Sequence, residues 1–310
     1  MHSLVKRFNS AELLTFTYIV ITAFHILLFG RTGSFAHISS LLLCRIAFSA
    51  AIFLVVLISE QFGNRFAGFI RYVFPFALIA YWYPETYYLG GNENSALPHS
   101  IIMSNIDGLL DRLDMMIFGC LPAMEFSKAF PQAWVSEIMY FGYFAYYLIF
   151  LVTFIYFFFV KPDMAEAAMF YCLCSFFIFY IIFICVPAAG PQFYYSYPDS
   201  QVPEGYFFSW LMRSIQDMGE KPTGAFPSSH VGLTLIAMIL LYGNSRKYFY
   251  AILPTAIILV ASTVYIKAHY LVDVLAAFIV APFIFVLSRL IFGLYKHCNL
   301  FSSLKKAVDN

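Results

Sequence analysis

Residues 165–187 read AEAAMFYCLCSFFIFYIIFICVP, and no charged side chain follows Glu166 before the stretch ends at Pro187. A helix needs about 20 mostly apolar residues to cross the ~30 Å hydrocarbon of a bilayer. This stretch meets that length and offers no polar face. Working outward, seven further apolar runs appear, at 12–30, 41–59, 67–84, 134–160, 229–243, 248–266 and 270–293. The run at 229–243 is short, so its crossing is expected to begin inside the preceding loop. The expected fold is all-α: a polytopic membrane helical bundle of about eight transmembrane helices.

Composition agrees. Of 310 residues, 62% are hydrophobic and 11% charged, against roughly 45–50% and about 25% in soluble domains. Aromatics make up 20% of the chain, and tyrosines at the ends of runs fit an interfacial belt. The net charge of +1 says nothing about partners, and no basic tract suggests a nucleic-acid partner. Cys44, Cys172, Cys174 and Cys185 lie in apolar runs, where cysteine packs as a small hydrophobe. No cysteine spacing suggests a metal site or a disulfide, and no cofactor is called for.

Basic residues orient the chain. Lys6, Arg7, Arg65, Arg71, Lys161, Arg246, Lys247, Lys296, Lys305 and Lys306 fall on one side, which the positive-inside rule makes cytoplasmic. Lys6 and Arg7 precede a run too long for a signal-peptide core and without a cleavage site, so it reads as a retained anchor. Two long segments, 85–133 and 188–228, then face outward, and SNIDGLLDRLDMMIFG within 98–130 reads as an amphipathic helix in the outer interface. The expected organisation is N-terminal spans over 1–66, a catalytic membrane domain over 67–295 and a cytoplasmic tail over 296–310.

The chemistry lies in two stretches. Residues 221–230 read KPTGAFPSSH. Gly224 and Pro227 break regular structure, Ser228 can cap the helix that follows, and the N–H groups of a helix start seat a phosphate. His230 falls in the first turn of that helix. Residues 262–273 read STVYIKAHYLVD. His269 and Asp273 are four apart, so on a helix the carboxylate can hold the imidazole N–H and leave the other nitrogen free to attack. Lys267 is placed to neutralise phosphate oxygens. If the helix persists, Thr263 and Lys267 share a face. Two antiparallel spans bring both histidines to the outer membrane face.

These stretches resemble the type 2 phosphatidic acid phosphatase superfamily. Pro227-Ser228-Ser229-His230 resembles its second signature, Pro-Ser-Gly-His, and Ser262 through Asp273 resembles its third, Ser-Arg-x5-His-x3-Asp. The resemblance implies a six-helix catalytic core, with His269 as nucleophile, Asp273 orienting it and His230 protonating the leaving oxygen. Here Ser229 replaces Gly, Thr263 replaces Arg, and Pro187-Ala188-Ala189-Gly190-Pro191-Gln192 stands where a Lys-x6-Arg-Pro signature is absent. Charge for the phosphate is therefore expected from Lys267, with Lys221 and Arg213 as further candidates beside Ser228 and Ser229. The Gly-Ala-Phe-Pro-Ser lead-in, the His-Tyr before the Asp, and more distantly Asp111, Gly119 and Pro122 resemble the branch containing inositol phosphorylceramide synthase.

The implied function is transfer of a phosphoryl headgroup from a phospholipid to a lipid alcohol such as ceramide, with membrane lipids as substrates. The alternative is a lipid phosphate phosphatase, which uses the same catalytic residues. A transporter with a histidine relay would carry ionisable groups in mid-span, whereas here they gather at one end.

Overall fold

The computed structural model describes residues 7–29, 35–90, 106–195 and 202–308. Every regular element among them is helical. The first four helices are α1 (Ser10–Phe29), α2 (Phe35–Phe62), α3 (Arg65–Ala77) and α4 (Ile79–Leu89). After them come α5 (Asp107–Phe118), α6 (Pro122–Ala129), α7 (Ala133–Ile155) and α8 (Ala165–Cys185). The chain ends with α9 (Phe207–Gly219), α10 (Ser229–Asn244), α11 (Arg246–Tyr265) and α12 (Leu271–Val308). Among the described residues, seven stretches are long and apolar enough to cross a membrane, and α10 is a shorter apolar helix. The eight expected runs thus each find a helix, and the chain is an integral membrane protein.

Two stretches differ from expectation for local reasons. The third crossing extends to Leu89 and is broken into α3 and α4 around Leu78. The break lies six residues before Pro84, whose ring clashes with the carbonyl of Ala80 in the first turn of α4. The interfacial segment forms two helices, α5 and α6, and its first part, 98–105, lies outside the described residues. Gly119, in the left-handed region at φ 69, ends α5. On α5, Asp107, Leu110 and Asp114 are buried while Met115, Met116, Ile117 and Phe118 are exposed. Asp107 and Asp114 therefore face the protein, while Arg112 and the apolar end Met115–Phe118 face outward. At the chain's end, α12 continues through the expected tail to Val308.

Helix α10 sits at the centre, touching α7, α8, α11 and α12. Val231, Leu233, Ile236, Ala237 and Leu241 are fully buried. Gly232 is required there, since an added Cβ would lie 2.3 Å from the Phe179 ring on α8. Helices in lipid gain little from hydrophobic burial and rely on such close packing and on polar links. The N-terminal helices are joined by buried ion pairs. Arg45 on α2 holds Glu85 on α4 through two bonds of 2.7 and 2.8 Å, and Arg71 on α3 holds Glu12 on α1 at 2.7 Å. Breaking a fully buried pair from one side typically costs about 3–5 kcal/mol.

The 16 residues of α10 reach ~24 Å, short of a ~30 Å hydrocarbon core. The loop 221–228 makes up the difference. Irregular backbone is tolerated at that depth only when buried in protein with its polar groups satisfied. Thr223, Gly224, Ala225 and Ser228 are indeed buried, and their backbone bonds lead directly to the site.

Candidate active site

Ser228 caps α10, its hydroxyl accepting from the Val231 N–H at 3.4 Å. The Ser228 N–H donates to the backbone carbonyl of Asp273 at 3.3 Å, and the Ala225 N–H donates to Ala188 at 3.1 Å. Tyr83 on α4 donates its hydroxyl to the Thr223 carbonyl at 3.2 Å. The loop that carries the first motif is thus pinned from α4, from the 187–190 stretch and from the start of α12. Gly224, at φ 77, lies against the rings of Tyr83 and Phe183, where a Cβ would be crowded as well as strained.

His230, in the first turn of α10, lies between the rings of Tyr143 and Tyr146 on α7, at centroid distances of 4.5 and 4.6 Å. Its ring is 5.8 Å from that of His269. Its Nδ1 is buried without a hydrogen-bond partner, and the residue opens onto an apolar cleft. His269 is buried at 3% exposure, and its Nδ1 lies 2.8 Å from the Ala225 carbonyl oxygen. A carbonyl only accepts, so Nδ1 carries the proton and Nε2 is left with its lone pair. Burial drives the His269 imidazole down to about 4, although the Ala225 carbonyl and the Glu220 charge act in the opposite direction. At neutral pH it is uncharged.

The carboxylate expected on the imidazole plays a different part. Asp273 Oδ2 is 3.7 Å from His269 Nδ1, beyond hydrogen-bond length, and instead accepts the Tyr270 N–H at 2.9 Å. It caps the first turn of its own helix, which begins at Leu271, so His269 precedes the helix and the four-residue spacing does not stack the pair as expected. A backbone carbonyl from the other motif supplies the bond assigned to it.

Lys267 also departs from expectation. Helix α11 ends at Tyr265, and Lys267 adopts φ 65, the left-handed conformation that commonly closes a helix. Thr263 and Lys267 therefore do not share a helical face. Thr263 contributes its carbonyl, which accepts the His269 N–H at 3.1 Å. The Lys267 side chain is 1% exposed, and its carbonyl accepts the Gln192 N–H at 2.9 Å. Gly190, at φ 90, closes the contact, because a Cβ there would fall 2.6 Å from the Ala268 carbonyl. Of the other basic candidates, Lys221 is half-buried beside Glu220. Arg213 is engaged elsewhere by Tyr140, by the Val202 carbonyl at 2.8 Å and by Glu204 at 3.8 Å. Ser229 is buried as the first residue of α10.

Sequence reading missed the frame behind these residues. Asp107 accepts from the Ala189 and Gly190 N–H groups at 2.7 and 2.8 Å and from the Tyr270 hydroxyl at 3.0 Å. Asp111 accepts from the Tyr195 hydroxyl. Asp114 accepts from the Leu271 and Val272 N–H groups at 3.1 and 2.9 Å, capping α12 from outside. Burial pushes the Asp114 carboxyl above its ordinary range against the pull of those two donors. The signal was legible: three aspartates at i, i+4 and i+7 make one acidic stripe on a helix. Glu220 was missed too. Burial raises its carboxyl, while hydrogen bonds from Gln192 and Gln216 lower it.

Comparison with known proteins follows the same residues. Residues 114–287, more than half of the chain, match the PAP2 superfamily. A PA-phosphatase related-family protein of Dictyostelium discoideum is 31% identical over 121 residues, 37% of this chain and 22% of that protein. The chain thus spans about a fifth of that relative's length. No solved structure matches.

Proposed function

Because the chain belongs to the PAP2 superfamily, we propose that it is an integral-membrane enzyme acting on lipid phosphoesters through a phosphohistidine on His269. The observation that carries this is the pair of imidazoles 5.8 Å apart, with His269 Nδ1 committed to the Ala225 carbonyl and Nε2 therefore unprotonated. In the first step Nε2 attacks phosphorus, the phosphorus–oxygen bond to the departing alcohol breaks, and His230, protonated alongside the bound phosphate anion, gives that oxygen its proton. In the second step the acceptor hydroxyl loses its proton to neutral His230 and attacks phosphorus, and the phosphorus–nitrogen bond breaks. Asp273 and Asp114 fix the start of α12 behind His269. The N–H groups at the head of α10, with Ser228 and Ser229, and the ammonium of Lys267 supply charge for the phosphate.

We read the acceptor as a lipid alcohol such as ceramide and the donor as a phospholipid with an inositol-phosphate-like headgroup. The apolar cleft beside His230 favours this reading, since a dry approach disfavours water as acceptor. Hydrolysis is the second reading, favoured by the likeness to the PA-phosphatase related-family protein of Dictyostelium. The basic residues flanking the helices support a site on the outer face of a cytoplasmic membrane, by the positive-inside rule. The test is an assay of purified protein with phosphatidylinositol and ceramide, following inositol phosphorylceramide and free phosphate, with phosphatidic acid in parallel. Transfer product supports the first reading and free phosphate alone the second. Turnover of neither lipid, with protein that remains folded, overturns both.

A further inference from the structure

A cleft of about 510 Å³ runs from His230 down between α7, α3–α4 and α8. On α7 it is lined by Tyr143, Tyr146, Tyr147, Phe150, Leu151 and Phe154, one continuous helical stripe. From Tyr143 to Phe154 that stripe covers ~16 Å, about half of a ~30 Å hydrocarbon core and so the depth of one leaflet. Polarity falls along it. Glu220, Gln216 and Ser229 stand with His230 at one end, and Phe76, Phe154 and Phe176 form the other. The Phe76 and Phe154 rings meet at 4.3 Å and close the floor. Tyr147 and Leu151 line the cleft and are also 46% and 50% exposed on the lipid side of the fold, which marks a sideways mouth.

We propose that this cleft seats one hydrocarbon chain of the lipid presented to His230 and His269, that the chain enters sideways past Tyr147 and Leu151, and that the Phe76–Phe154 pair limits its length to about one leaflet. The wall tyrosines, Tyr83, Tyr143, Tyr146, Tyr147 and Tyr180, belong to the half nearer His230, while Phe76, Phe150, Leu151, Phe154 and Phe176 line the deeper half and offer a sugar, a headgroup or a water path no polar partner there. The depth matches a lipid tail, the polar end sits at the reacting groups, and the mouth opens into the membrane. The identification of the polar end as the reacting end rests on the function proposed above.

The test has two arms on the purified full chain in lipid nanodiscs. In the first, kcat/KM is measured for phosphatidic acids of graded chain length. Wild type should favour chains up to leaflet length and decline beyond. Phe154→Ala, or Phe154→Leu where alanine disturbs folding, should raise the long-to-short ratio by about tenfold, the usual effect of a methylene gained or refused by an apolar pocket. Leu151→Trp, on the lipid-facing surface, should lower that ratio by narrowing the mouth. The second arm needs no turnover: a single-chain lipid alcohol with a photoactivatable group at its tail should label α7 near Phe154 or α3 near Phe76. Labelling there without turnover of any phosphoester keeps the cleft assignment and removes the reaction. Turnover with an unshifted chain-length profile in all variants, and labelling away from the floor, overturns the cleft assignment and leaves the reaction standing.

Discussion

Replacing Asp114 with alanine removes two acceptors at once. Its carboxylate oxygens take the Leu271 and Val272 N–H groups at 3.1 and 2.9 Å, and these are donors at the start of α12 with no partner inside the helix. Losing a helix cap typically costs about 1 kcal/mol. Leaving a second buried donor unsatisfied adds about 1–3 kcal/mol. The sum, about 2–4 kcal/mol, should appear as a lower Tm in detergent. Activity should suffer beyond what the loss of folded protein explains, because His269 stands two residues before Leu271. A misplacement of about 1 Å at a reacting group can cost ~10²-fold in rate. Asp114→Asn keeps one acceptor oxygen and should lose roughly half as much stability. Paired thermal unfolding and kcat/KM measurements decide the matter. Wild-type values for both in Asp114→Ala, or asparagine as damaging as alanine, would refute the capping argument.

The remaining expectations concern the reacting groups. His269→Ala should abolish turnover and the trappable phosphoprotein while leaving Tm near that of wild type; activity close to wild type would remove the nucleophile assignment. His230→Ala should slow esters with poor leaving groups by about 10²–10⁴-fold and nitrophenyl phosphate much less, and an equal loss for both would assign His230 another role. Lys267→Met should reduce kcat/KM by about 2.7–4 kcal/mol of transition-state stabilisation, by analogy with a lost oxyanion donor, and Lys267→Arg should keep part of it. Full activity in the methionine variant would move the phosphate's charge to Lys221. The acidic limb of kcat/KM should fall near pH 4, since His269 must be uncharged to attack and protonates only below that value. Burial holds the Glu220 carboxyl above its ordinary range, so it is already protonated at the pH of that limb and Glu220→Gln should leave the limb in place; a limb near 6.5 in wild type would mean that the site is wet.

The helices were legible because lipid imposes one demand on every crossing, a run of apolar residues of fixed length, and residues 165–187 meet it without ambiguity. The histidines were legible because their partners in sequence, the helix cap at Ser228 and the acid at Asp273, are local. What escaped reading was non-local or belonged to the backbone. The group that fixes the His269 tautomer is the carbonyl of Ala225, 44 residues away, and a carbonyl leaves no mark in side-chain pattern. Thr263 and Lys267 were placed on one face because periodicity carries no stop signal there. The helix ends at a lysine in the conformation usually given to glycine, and that choice reflects packing against Gly190 and Gln192. The aspartates of α5 were visible as an amphipathic pattern, but their partners, backbone N–H groups of 189–190 and of the start of α12, lie about 80 to 160 residues away.

The shortness of α10 gives bilayer thickness a hold on the chemistry. With its other end at the opposite interface, a ~24 Å helix leaves His230 some ~6 Å inside the outer edge of the hydrocarbon core, beneath the lipid phosphates. Either the phosphoester descends to the histidines or the surrounding leaflet thins to meet them. Mismatch of this kind costs a fraction of a kcal/mol per Å, so the whole step amounts to about 1–3 kcal/mol, of the same order as a tenfold change in rate. Thin membranes lower that step and thick, sterol-rich ones raise it. The same sequence, with no residue altered, would therefore run at different speeds in different compartments, with the lipid composition of the host membrane acting as its control.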